Sequence, residues 1–146
     1  MASCVFKRNE IKKIAREILA MRPDIIAMEG PLGAGKTTLT KALAKEMGIE
    51  DEVLSPTFIL HEEYPGLDHI DAWRVEDFEE IERLGLFEMI NNKHLIIIEW
   101  ADKFAEEVVY LANKKLSNED TKIVWVKIEY GEKENERIIL IDLISN

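Results

Sequence analysis

Gly30-Pro31-Leu32-Gly33-Ala34-Gly35-Lys36-Thr37 places glycine, lysine and a hydroxyl in the spacing G-x-x-x-x-G-K-[ST], the pattern of a loop that wraps phosphate. Glycines let the main chain curl until successive N–H groups point inward, and a helix starting near Lys36 adds its positive end to the same place. Polyanionic phosphate is the natural ligand of such a cradle. Lys36 supplies a mobile ammonium for β and γ phosphates, the Thr37 hydroxyl is an oxygen donor suited to Mg²⁺, and Thr38 is placed for the α phosphate.

A phosphate cradle binds but does not hydrolyse, so a carboxylate is needed to hold metal or orient water. Leu95-Ile96-Ile97-Ile98-Glu99 offers one. Four aliphatic residues followed by an acid read as a buried strand with a carboxylate at its C-terminal end, the edge of an open α/β sheet where ligands collect. Glu99 thus has the character of a Walker B acid; a solvated strand-end glutamate is the bland alternative. Trp100 next to it could shield the site, face a partner or simply pack. Ser55-Pro56-Thr57 lies where a hydroxyl can sense the γ phosphate, with Thr57 the candidate and Ser55 a second contact, although a proline turn opening a strand has the same appearance. In His69-Ile70-Asp71 the period of two puts both polar side chains on one strand face. Asp71 could hold Mg²⁺ through water or position the attacking water, whereas His69 reads as a hydrogen-bonded structural residue. Arg74 could neutralise phosphate or pair with the acidic segment that follows it.

These residues need elements to hold them. Ile11, Ile14, Ala15, Ile18 and Leu19 repeat at helical spacing over 10–21, with Asn9 available as a cap and Pro23 as a stop. Ile25 to Met28 read as a buried strand entering the glycine loop, and 36–47 as the helix leaving it, ended by Gly48. Strands are expected at 57–64 and 67–72, paired through a Pro65-Gly66 turn. A helix over 75–84, a shorter one broken by Asn91 and Asn92, the strand 95–99 and a helix over 104–116 come next. Strands 122–130 and 137–144 form a hairpin around the polar turn 131–136. The expected architecture is a three-layer α/β P-loop fold whose mostly parallel central sheet is extended by antiparallel strands, including that C-terminal hairpin, in one domain over 1–146.

With 146 residues, 47% hydrophobic and 33% charged, the chain suits one compact core. Its longest aliphatic runs hold four residues, far short of the roughly 20 that span a bilayer, and Lys7 and Arg8 interrupt any export signal. No membrane association and a cytoplasmic location are expected. The single Cys4 has no thiol partner. The net charge of −10 divides as +3, −10 and −3 over residues 1–50, 51–100 and 101–146. Gripping polynucleotide takes clustered Lys and Arg, which are lacking here, so nucleic acid is not expected as a direct ligand. The acidic run Glu76 to Glu82 is a solvated helix face or a dock for a basic partner protein.

Taken in order, G-x-L-G-A-G-K-T-T, S-P-T-F, H-x-D-x-W-R and L-I-I-I-E-W, spanning Ile25 to Trp100, resemble the TsaE (YjeE) family. The resemblance implies a small bacterial ATPase required for threonylcarbamoyl modification of the adenosine beside the anticodon in tRNAs reading ANN codons. It also implies two partner proteins, TsaD and TsaB, with tRNA reached only through the complex. On that basis Leu32, Gly33, Ala34, Gly35, Lys36, Thr37 and Thr38 bind ATP, and Thr37 and Glu99 carry Mg²⁺. Thr57 takes the switch-like position, Asp71 is a catalytic or metal-assisting acid, and Trp100 matches the family's tryptophan beside the acid. Arg137 resembles an arginine common near the family's C-terminus and placed near the nucleotide. Hydrolysis, weak in the isolated chain, would reset the modifying complex. Two other readings stay open: a small-molecule kinase, against which only Arg74 and Arg83 stand between loop and Glu99 as lid arginines, and a binding module that uses ATP as a shape switch. GTP is disfavoured because Asn92-Lys93-His94-Leu95 lacks the acid of N-K-x-D.

Overall fold

The computed structural model describes residues 2–50, 60–113 and 121–144; Ser55 and Thr57 lie outside the described residues. Strands β1 (Ala2–Lys7), β2 (Ile25–Glu29), β3 (His61–Tyr64), β4 (Leu67–Asp71), β5 (Leu95–Glu99), β6 (Ile123–Tyr130) and β7 (Glu136–Ile144) build one seven-stranded sheet. Its order is β1-β7-β6-β2-β5-β4-β3. The central four, β6, β2, β5 and β4, run parallel. Antiparallel β3 closes one side, and β7 and then β1 close the other. The hairpin therefore joins the two regimes, its first strand belonging to the parallel centre.

Alternation along the strands sends the aliphatic run in two directions. Ile26, Met28 and Ile97 pack with Ile14 and Ile18 of α1 (Ile11–Ala20) and with Leu39 and Leu43 of α2 (Lys36–Glu46). Ile25, Ala27, Ile96 and Ile98 pack with Ile81 of α3 (Phe78–Glu82), Met89 of α4 (Leu86–Asn91), and Val108 and Leu111 of α5 (Ala105–Asn113). Two apolar layers result, one on each face, which is the expected three-layer arrangement. No helix of the described residues is long and apolar enough to cross a membrane.

Three local expectations change. Residues 2–7, read without an element, form β1 against β7, with Phe6 in the core. The helix expected at 75–84 is shorter: Val75 N–H is tied to the Ala72 carbonyl in a turn, and Asp77 caps α3 by accepting from Glu80 N–H at 3.1 Å. The first helix begins at Ile11 without a side-chain cap from Asn9; instead Glu10 accepts the Lys7 N–H at 2.9 Å.

Candidate functional site

Because β2, β4 and β5 are parallel, their C-terminal ends share one edge of the sheet. Met28 pairs with Glu99, and Glu99 with Asp71. The glycine loop leaves β2 at this edge and turns into α2. Gly30 passes so close to β6 that a Cβ there would stand 2.4 Å from the Ile128 carbonyl oxygen. At Gly35 the chain takes φ +120° just before Lys36 opens the helix, a conformation that side-chain-bearing residues rarely adopt.

Lys36, almost wholly buried, folds back over its own loop. Its Nζ donates to the carbonyls of Gly30 at 2.6 Å and Pro31 at 3.0 Å and stands 3.8 Å from the centroid of the Trp100 ring. Burial lowers its pKa, opposed by the negative charges of Glu99, Asp102 and Asp71. One residue on, the Thr37 hydroxyl donates to Glu99 Oε1 at 3.0 Å, so the loop and the end of β5 meet directly. Glu99 is 2% exposed. Its other oxygen is within 3.4 Å of the Thr40 hydroxyl and bonds His69 Nε2. A buried carboxylate would be costly if unpaired, and here three side chains on α2 and β4 satisfy it.

Asp71 lies on the same face as His69, partly open, and accepts the Trp73 N–H at 2.9 Å. Burial raises its carboxyl above the ordinary range, against the pull of that hydrogen bond. The rings of Trp73 and Trp100 meet with centroids 4.3 Å apart, and Lys103 donates to the Trp73 carbonyl at 2.7 Å and the Val75 carbonyl at 2.9 Å. Trp100 itself holds φ +61°, a conformation disfavoured for a bulky residue and characteristic of sites where the backbone is over-determined. It packs beside the lysine rather than pointing away.

The C-terminal hairpin grips the loop from the far side. Arg137 Nε donates to the Ala34 carbonyl at 3.0 Å, the Tyr130 hydroxyl donates to the Leu32 carbonyl, and the guanidinium lies 4.8 Å from the Tyr130 ring centroid. Arg137 is thus brought to the glycine loop through main-chain contact. Thr38 is exposed on the first turn of α2, and Leu32 is exposed at the loop's tip. Lys36, Thr37, Asp71 and Glu99 converge at the strand edge; Thr57 lies outside the described residues.

A family model described as "Threonylcarbamoyl adenosine biosynthesis protein TsaE" matches residues 5–139. The chain belongs to the TsaE family. The TsaE protein of Bacillus subtilis is 36% identical over 130 residues, covering 82% of this chain and 81% of the relative. That of Aquifex aeolicus is 39% identical over 99 residues, covering 62% and 69%. The crystal structure of YdiB from Bacillus subtilis superposes with a TM-score of 0.66 at 23% identity, over 99% of this chain and 87% of that one, and shows the same fold.

Against this TsaE site, motif reading missed Thr40 and Tyr130. Thr40 was legible in principle, one helical turn after Lys36 and therefore on the same face of α2. Tyr130 was not, since it meets Leu32 across 98 residues of sequence. His69 is the hydrogen-bonded buried residue that its lack of neighbouring metal ligands suggested, and its partner is Glu99. Chemically the arrangement brings the glycine loop, one ammonium and a set of oxygen donors to a single edge. That set fits a phosphate chain with a hard divalent ion: Thr37 and Glu99, already 3.0 Å apart, are the two donors that could share it.

Proposed function

We propose that the chain binds MgATP at this edge and hydrolyses it in support of tRNA N6-threonylcarbamoyladenosine formation, together with TsaD and TsaB in the cytoplasm. The observation carrying this reading is the contact between Thr37 and Glu99, which joins the glycine loop to a strand-end acid at one sheet edge. Thr37 and Glu99 would hold Mg²⁺, which supplies charge neutralisation at the phosphates when bound.

The chain's own residues account for the rest. The main-chain amides from Leu32 to Thr38 donate to phosphate oxygens. Lys36 exchanges its bonds to the Gly30 and Pro31 carbonyls for the more negative phosphates, and its low cost of desolvation, already met by burial, favours that exchange. Arg137 and Tyr130 fix the loop's shape through its carbonyls, which holds Arg137 beside the nucleotide. His69 and Thr40 hold the Glu99 carboxylate in place. Asp71, with its raised pKa, orients water and accepts its proton. Thr57 is assigned the γ-phosphate sensing role on its motif alone. Hydrolysis resets the modifying complex, and the chemistry on adenosine takes place on another subunit.

Cells lacking the chain are expected to lose threonylcarbamoyladenosine from their tRNA and to regain it with the wild-type gene. A Glu99→Gln copy should fail to restore it while still binding ATP. Unchanged modification in the deleted cells would refute the reading, and full rescue by Glu99→Gln would reduce the nucleotide to a shape switch.

A further inference from the structure

At the opposite end of the parallel strands, where Asp68 pairs with Ile96 about 10 Å along β5 from Glu99, a second polar cluster gathers three elements. Asp68, 1% exposed on β4, accepts from His61 Nε2 of β3 at 2.6 Å and from His94 Nδ1, just before β5, at 2.8 Å. Directly across the β3–β4 pair stands Glu63. One ligand atom each from Glu63, Asp68 and His94 lies within 4.8 Å of the other two. We propose that Glu63, Asp68 and His94 form a binding site for a divalent transition metal, Zn²⁺ above all, separate from the nucleotide pocket.

Three features support this site. Like charges directly opposed on neighbouring strands are unfavourable, yet Glu63 faces Asp68 in register and has no hydrogen-bond or ion-pair partner among the described residues. A cation between them removes that conflict. The donor set, one imidazole nitrogen with two carboxylates, suits Zn²⁺ better than Mg²⁺, which prefers oxygen alone. His61 completes the pattern by holding the second oxygen of Asp68, as partners of metal-bound carboxylates do. On binding, His94 gives up the hydrogen bond from Nδ1 to Asp68 by shifting its proton to Nε2; the imidazole stays neutral and its Nδ1 lone pair turns to the metal. Glu63 is exposed and provides the route of entry. The ion would tie the edge strand β3 to the turn before β5.

The test is equilibrium dialysis of the chelator-stripped full chain against Zn²⁺ in excess Mg²⁺, with metal content measured and folding checked by circular dichroism. One Zn²⁺ per wild-type chain is expected, lost in Glu63→Gln and His94→Gln, and weakened roughly 10- to 100-fold in His61→Ala. Glu99→Gln should retain it. If His94→Gln misfolds, the exposed Glu63→Gln alone decides. A wild-type chain that retains no Zn²⁺, or retention unchanged in Glu63→Gln, overturns the site. So does loss confined to Glu99→Gln, which would put the ion in the nucleotide pocket.

Discussion

Asp71, the proposed base, carries a cost in stability. Burial raises its pKa in the folded protein, so the unfolded chain binds fewer protons between the two pKa values. Stability therefore falls as pH rises through that window, and the penalty persists above it. Asp71→Asn should raise the melting temperature at pH 7 relative to wild type, and the gain should vanish below the unfolded pKa; thermal melts at both pH values check this. The same variant should lose about 10²–10⁴-fold in ATP turnover, measured by phosphate release with the partner proteins present. Gly30 is constrained by space. Gly30→Ala drives a Cβ into the Ile128 carbonyl, 2.4 Å away, and should separate β2 from β6 at a cost of about 1–3 kcal/mol. A lower urea midpoint at unchanged slope would register it.

Among the elements, β1 makes a clear case. Phe6 is buried and its neighbour Val5 is 60% exposed, so the strand turns only alternate residues to the core. Phe6→Ala should cost about 3–5 kcal/mol by chemical denaturation, whereas Val5→Ala should stay within about 0.5 kcal/mol. The same feature explains why β1 was illegible: so short a strand carries little periodicity, and it exists because β7, more than a hundred residues later, offers an open edge. The central strands were legible because burial on both faces makes them continuously aliphatic, as in Leu95 to Ile98. The α3 boundary was obscured by Val75, whose apolar side chain belongs to the core while its backbone belongs to a turn. Asp77 and Glu80 carried the true start, a capping acid three residues before an acid, inside a run that otherwise reads as undivided charge. The site divides likewise. Lys36, Thr37 and Glu99 announce themselves locally, whereas the grip of Tyr130 and Arg137 on the loop is set by the fold and has no local spacing.

For the whole molecule, the net charge of −10 and the acidic middle third weigh against binding tRNA by itself. Without partners the chain should show no saturable tRNA binding at physiological salt, since its negative charge repels the phosphate backbone; fluorescence anisotropy with labelled tRNA is the check. Its contribution would then lie in the nucleotide cycle at one end of the sheet. Calorimetric titration with MgATP of wild type and Lys36→Ala tests that most directly. Wild type should bind at one saturable site and Lys36→Ala should show no binding, because no other cation of the loop replaces the lost ammonium. Equal affinity in the two proteins would contradict the assignment of this pocket.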